Sequence, residues 1–201
     1  AIQTNHMPLI QLFIDHGADV DFIDDNKNSP LSYAIQMKSE SIVSLLIEHG
    51  ADVNFVDIFN VSLLTYAINE QEFGVVKLLV DHGADVNFVA KNSMDNDKME
   101  PLFLYAICKD SELPLVQYLL EHGATYDFKS EGSLCTLMPH LFIGFRVEIL
   151  EYLLESKINI QDLTLKTLKD LIWRDRDELL RILIKHGLDV ELSDEEGNTL
   201  L

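Results

Sequence analysis

The stretch Ile47-Glu48-His49-Gly50-Ala51-Asp52-Val53-Asn54-Phe55-Val56 constrains this chain more than any other, because near copies stand 33 residues before it and 33 residues after it. The copies read His16-Gly17-Ala18-Asp19-Val20-Asp21-Phe22 and His82-Gly83-Ala84-Asp85-Val86-Asn87-Phe88. Drifting versions follow at His122-Gly123-Ala124-Thr125-Tyr126-Asp127-Phe128 and His186-Gly187-Leu188-Asp189-Val190. A fixed period of this size marks a stacked-repeat architecture, in which each unit contacts its neighbours and the core is a strip running through the stack. Ahead of each Gly lies an apolar stripe at helical spacing, such as Ile42, Val43, Leu45 and Leu46. The Gly ends that helix at the position where a left-handed backbone meets no Cβ clash, and the His before it suits the negative end of the helix dipole. Pro8 and Pro114, each nine residues ahead of such a Gly, mark the first turn of a second helix, where a missing N–H does no harm.

The cleanest unit runs from Asp24 to Val56: a polar turn, then Ser29-Pro30-Leu31-Ser32-Tyr33-Ala34, then a second helix ending before Gly50. With Val75-Val76-Lys77-Leu78-Leu79 and three intact copies of Gly-Ala-Asp-Val, it resembles the ankyrin repeat. That family's pattern is a turn, a Thr-Pro-Leu-His-x-Ala helix start, a Val-Val-x-Leu-Leu second helix and Gly-Ala-Asp-Val-Asn. The resemblance implies an all-α solenoid of stacked helix-turn-helix units with protruding β-turn fingers. It is close over residues 1–128 and looser beyond. A single array over 1–201 is expected, with a partial repeat 1–23, repeats 24–56, 57–89, 90–129, 130–160 and 161–193, and a partial repeat 194–201. Ala1-Ile2-Gln3 aligns with Ala34-Ile35-Gln36, so both ends are expected to fall inside a repeat.

Departures from the pattern carry their own expectations. Leu63 replaces Pro30, and Asn60 stands at a turn position where the family has Gly; Asn tolerates the left-handed backbone best among the other residues. The repeat 90–129 is seven residues longer, with six extra residues assigned to a finger within 91–100 and one between the helices near Leu113-Pro114. Residues 130–160 drift: Lys157 takes the Gly position, a helix is still expected over Val147–Glu155, and the finger at Ile158-Asn159-Ile160 is three residues short and expected to be distorted or missing. Residues 161–193 recover the full length, with helices expected around 165–174 and 177–185.

The formal net charge of −19 argues against a phosphate-backbone partner, which requires clustered Lys and Arg; it either favours a basic or mixed-charge protein partner or only keeps the array soluble. No apolar run approaches the roughly 20 residues that cross a bilayer, so no membrane insertion is expected. Cys108 and Cys135 form no paired framework, which fits a reducing compartment: the cytoplasm, or a host cytosol if the parent is a secreted effector. The five recurring histidines are read as helix-end caps. A shared metal needs nitrogens at roughly 2.0–2.1 Å, while packed helices lie roughly 8–10 Å apart. The sequence has no phosphate loop, nucleophile elbow or His-Glu-x-x-His, so neither catalysis nor a cofactor is expected within it.

Phe22, Phe55, Phe88 and Phe128 occupy equivalent positions and form either a ring-against-ring row or a sticky rail. The turn Ile58-Phe59-Asn60-Val61 is apolar where turns are usually polar, which marks either an interaction site or packing on the ten-residue finger that follows. The resemblance implies a concave binding side built from finger tips and from residues just after the Ala of the first helix. Carried across, it selects Asp25, Asn26, Asn28, Gln36 and Met37; Ile58, Phe59, Val61, Asn69 and Glu70; Cys108 and Lys109; and Trp173 and Arg174. Trp173 is alternatively a filler beside the drifting unit. The function expected is a protein-protein interaction scaffold gripping a protein or peptide with an apolar anchor. The alternative is a regulatory or targeting ankyrin arm of a larger enzyme or bacterial effector whose chemistry lies outside this chain.

Overall fold

The helices lie where the apolar stripes predict them: α1 Met7–Asp15, α2 Pro30–Gln36, α3 Glu40–Glu48, α4 Leu63–Asn69, α5 Phe73–Asp81, α6 Leu102–Cys108, α7 Leu113–Glu121, α8 Val147–Glu155 and α9 Asp177–Lys185. Their source is a computed structural model that describes residues 1–91, 99–109, 112–125, 141, 147–156, 168–169 and 177–191. Contacts divide the chain into two compact units, Ala1–Thr125 and Tyr126–Leu201.

In the first unit each repeat is a short inner helix packed on a longer outer one, α2 on α3, α4 on α5 and α6 on α7; inner helix α2 stacks on α4, and outer helix α3 on α5. Leu31, Ala34 and Ile35 of α2, Ile42 and Val43 of α3, and their counterparts Leu64, Ala67, Ile68, Val75 and Val76 are almost wholly removed from solvent. Burying each larger side chain is worth roughly 1.5–3 kcal/mol. The inner helices α2 and α4 start on side-chain caps, where the Ser29 hydroxyl accepts the Ser32 N–H at 3.1 Å and the Ser62 hydroxyl accepts the Thr65 N–H at 3.2 Å. Each cap satisfies one of the four N–H groups that a helix start leaves without partners. Pro30 sits in the first turn of α2, and Pro8 and Pro114 in the first turns of α1 and α7, as their spacing predicts.

The His-Gly-Ala signature is a device for ending the outer helix. Gly50 lies at φ +88°, donating its N–H to the Ile47 carbonyl at 2.9 Å, while the Ala51 N–H reaches the Leu46 carbonyl at 3.0 Å. The His49 Nδ1–H donates to the Leu45 carbonyl at 2.8 Å, so three consecutive carbonyls at the helix end are satisfied. A carbonyl only accepts, so Nδ1 carries the hydrogen of this contact. His16, His82 and His122 repeat the bond at the same 2.8 Å, in accord with the capping reading.

The Asp or Asn after Val in the signature staples one repeat to the next. Asn54 donates its amide to the Gly83 carbonyl at 3.0 Å and accepts the Asp85 N–H at 2.8 Å. Asn87 does the same toward the Gly123 carbonyl at 3.0 Å and the Thr125 N–H at 2.7 Å. Asp21 accepts the Asp52 N–H at 2.8 Å, but a carboxylate has no hydrogen to give the neighbouring carbonyl.

The third finger is a hairpin, β1 Val89–Lys91 against β2 Met99–Pro101, antiparallel with Val89 opposite Pro101 and Lys91 opposite Met99. The insertion assigned to 91–100 thus opens from this hairpin. The extra residue between α6 and α7 is also present: four residues, 109–112, separate them, where three, 37–39, separate α2 from α3. In the second unit α8 and α9 pack on each other through Ile149, Leu150 and Leu153 and through Leu179, Ile182 and Leu183. The exposed Lys185 ammonium stands 3.6 Å from the Glu151 carboxylate. Helices α8 and α9 span the two outer helices expected after residue 129. The finger at 158–160, Phe128, Cys135 and most of the helix expected at 165–174 lie outside the described residues.

Candidate protein-binding surface

The first two fingers are each shaped by one aspartate. In the first, the Asp24 N–H donates to the Asn28 carbonyl at 3.1 Å, the Lys27 N–H closes the turn on the Asp24 carbonyl at 2.9 Å, and the Asp24 carboxylate accepts the Asn28 N–H at 2.9 Å. The Tyr33 hydroxyl, one helical turn into α2, donates to the same carboxylate at 2.6 Å. That hydroxyl first, and the Asn28 N–H second, hold the Asp24 carboxyl below the usual carboxylate range.

The second finger repeats the plan with different side chains. Asp57 accepts the Phe59 N–H at 2.8 Å and the Val61 N–H at 2.9 Å, and its other oxygen accepts the Tyr66 hydroxyl. Asn60 holds the left-handed corner at φ +59°, the role expected of it, and its amide donates to the Val89 carbonyl of the next finger at 3.4 Å. Val56 and Ser62 close the base as an antiparallel bridge. Burial, with the hydrogen bond and charge of Asp57 behind it, pushes the Tyr66 hydroxyl up to about 12. With its backbone locked inward, this turn aims Ile58 and Phe59 into solvent, 66% and 67% exposed. Exposed Val56 and Val89 extend the apolar surface to either side of the tip. The spacing Asp24–Tyr33 and Asp57–Tyr66 is nine residues in both cases, a signal of the latch that went unread in the sequence.

The third finger lacks the latch because Ala90 stands where the aspartate would be. Tyr105, the counterpart of Tyr66, instead donates its hydroxyl to the Asn69 side-chain oxygen at 2.7 Å. This fixes the orientation of one residue selected for the concave side. Lys109 lies over the Tyr105 ring at 5.3 Å. Lys38, which the sequence reading passed over, reaches across a repeat to the Glu70 carboxylate at 3.2 Å, the Glu70 carbonyl at 3.0 Å and the Glu72 carboxylate at 3.7 Å. Glu70 is thus engaged with its neighbour repeat.

Of the other selected residues, Asp25, Asn26, Gln36 and Met37 are exposed, whereas Asn28 and Val61 are half-buried, and Asn28 turns its amide toward the Tyr33 hydroxyl at 3.4 Å. Cys108 closes α6, while Trp173 and Arg174 lie outside the described residues. The phenylalanine row does not stack: Phe22 is 61% exposed, Phe55 and Phe88 are half-buried, and among the described residues no ring contact joins them. The repeat translation, set by helices roughly 8–10 Å apart, exceeds the roughly 4.5–7 Å that ring pairs prefer. Among the described residues no helix is long and apolar enough to cross a membrane.

With this geometry in view, a family profile described as "Ankyrin repeats (3 copies)" matches residues 1–57 and 51–130. The fold is similar to that of the human ASB11 ankyrin repeat domain, at 18% identity and a TM-score of 0.69 over 99% of this chain and 87% of that one. It is similar also to the ankyrin repeat domain of Bcl-3, described as a unique member of the IkappaB protein family, at 23% identity and a TM-score of 0.70 over 99% of this chain and 89% of that one. No curated protein sequence matches the chain.

Proposed function

The chain belongs to the ankyrin repeat family, whose repeats are in general protein-protein interaction modules, and on that premise we propose that it is a non-catalytic scaffold gripping a protein or peptide on the concave side of its repeats. The observation that carries the reading is the apolar tip of the second finger. Ile58 and Phe59 stand two-thirds exposed on a turn that Asp57 already holds through the Phe59 and Val61 N–H groups, so the turn does not rest on burying them. Contiguous exposed apolar surface of this kind marks an interaction site. Met37, 45% exposed after the first inner helix, and Gln36, Asn69 and Lys109 at equivalent places extend the surface. Asp25, Asn26, Asn28, Val61, Glu70 and Cys108 are assigned to its frame by the family's concave positions, which also select Trp173 and Arg174, outside the described residues, as a second anchor. The net charge of −19 selects a basic or mixed-charge partner bearing an apolar anchor, with the field acting more on encounter than on affinity.

The test is the double change Ile58→Ser with Phe59→Ser. Burying each native side chain is worth roughly 1.5–3 kcal/mol before association costs. At about 1.4 kcal/mol per tenfold, losing both weakens binding by one to several powers of ten. Capture of partners by the wild-type chain, followed by affinity measurement on the variant, reads this directly. A folded variant with unchanged affinity moves the site to the outer helices or the third finger.

A further inference from the structure

Lys38 and Gln71 stand at the same corner of successive repeats, 33 residues apart and at φ +53° and +58°, so their side chains leave the backbone in the same direction. What each meets there differs. The Lys38 ammonium closes its junction between repeats, with the Glu70 carboxylate at 3.2 Å, the Glu70 carbonyl at 3.0 Å and the Glu72 carboxylate at 3.7 Å. Glu40 packs the rest of that junction, so close to Gly74 that a Cβ there would meet its carboxylate oxygen at 2.6 Å. One junction on, Gln71 brings no charge, Phe73 and Pro114 replace Glu40 and Gly74, and Glu112 takes the place of Glu72 as the residue that starts the outer helix. A cleft of about 200 Å³ is left open. Its floor is the buried side chains of Ile68, Val76 and Leu115, with Phe73 and Pro114 as an apolar wall.

The rim selects the occupant. Exposed Gln71 and Glu112 and half-buried Glu72 stand at the opening, so two carboxylates face an apolar floor. The neighbouring ammonium groups have seats of their own: Lys38 with Glu70 and Glu72, Lys77 over the Phe73 ring at 4.5 Å, and Lys109, which replaces Glu70, over the Tyr105 ring at 5.3 Å. The cleft is smaller than the roughly 300–1,000 Å³ of sites that enclose drug-sized molecules, and suits a single long side chain. We infer that it receives a lysine side chain of a protein partner, its methylene stem on the apolar floor and its ammonium at the rim with Glu72 and Glu112, as Lys38 serves from within the chain one junction earlier. A long cationic side chain buries its stem in this way while its charged head stays in water. The inference rests on the reading of the chain as a protein-binding scaffold, and it uses none of the finger-tip residues.

Titration of the 201-residue chain with Nα-acetyl-lysine methylamide, followed by nuclear magnetic resonance, tests it with no partner protein required. Saturable shifts are expected at the amides of Gln71, Glu72 and Glu112, and none that saturate over the same range with the norleucine compound, which carries the stem without the charge. Glu112→Gln is expected to weaken binding about two- to fivefold, the worth of one exposed ion pair. Gln71→Lys supplies the ammonium from the chain itself, at a corner type that Lys38 already occupies, and is expected to abolish binding. Circular dichroism reads whether each variant is folded. Equal affinity for the norleucine compound, unchanged affinity in folded Glu112→Gln, or binding that survives folded Gln71→Lys overturns the inference. Ile58→Ser with Phe59→Ser is expected to leave the lysine titration unchanged, so a failure of the finger-tip reading is told apart from a failure of this one. Loss of lysine binding in that variant places the compound at the finger tip and overturns the inference as well.

Discussion

At the scale of single residues, the aspartates that shape the fingers act as receivers of backbone N–H groups, and a tyrosine hydroxyl from the following helix fills each remaining oxygen. Hydrogen bonds to charged groups contribute more than neutral ones, and leaving the acceptor unpaired adds a desolvation penalty. Tyr66→Phe is accordingly expected to destabilise the chain by about 1–2 kcal/mol in chemical denaturation while leaving helix content unchanged. The tyrosine also sets an alkaline limit. Its folded-state pKa of about 12 exceeds the ordinary 10.0, so the folded chain holds the proton more tightly than the unfolded one. That contribution is complete below the ordinary value and is lost as pH rises through the folded one. Tyr118, whose hydroxyl donates to Asp81 at 2.6 Å, is pushed up to about 12 by burial and the same kind of bond. Tyr66→Phe is therefore expected to flatten the alkaline fall in stability without abolishing it, read from melting temperatures across that range. An unchanged slope sinks the assignment.

At the scale of elements, what joins one helix pair to the next is a side-chain amide that both gives and receives. Asn54 and Asn87 serve in this way, and Asp21 makes only the accepting half. Asp21→Asn supplies the missing donor and is expected to stabilise the chain by about 0.5–1.5 kcal/mol, the net worth of one hydrogen bond. Asn54→Asp should cost at least as much by removing the donor and adding a charge. Urea denaturation of the two variants reads both signs, and a destabilised Asp21→Asn rejects the account. The apolar tip belongs to this scale as well, since Asn60 binds the second finger to the carbonyl of Val89 and presents Ile58 and Phe59 from a fixed platform.

At the scale of the molecule, stability in a stack is the sum of unit and neighbour terms, so the units that depart most from the pattern open first. Residues 1–125 carry three intact Gly-Ala-Asp-Val signatures and the Asn staples, while Lys157 stands where α8 would be followed by Gly. Hydrogen exchange is expected to be faster in α8 (Val147–Glu155) and α9 (Asp177–Lys185) than in α3 (Glu40–Glu48) and α5 (Phe73–Asp81). Equal or greater protection in α8 and α9 would reverse that order.

The period by itself determined the outer helices that end at each His-Gly, the helices at 147–155 and 177–185, and the left-handed corners at Gly50 and Asn60, because these follow from local backbone sterics and from an apolar stripe that has one way to face a core. It also exposed the odd turn at Ile58 and Phe59, since apolar residues in a turn are visible in any reading. Contacts between repeats were decided only in three dimensions. The nine-residue Asp–Tyr latch, the Asn54 staple, the diversion of Tyr105 to Asn69 where Ala90 removes its acceptor, and the reach of Lys38 to Glu70 all depend on how far one unit is translated against the next. The same translation separates the phenylalanine rings that equal spacing in sequence had placed in one row. A period states which residues are equivalent, and only packing distance decides which of them touch.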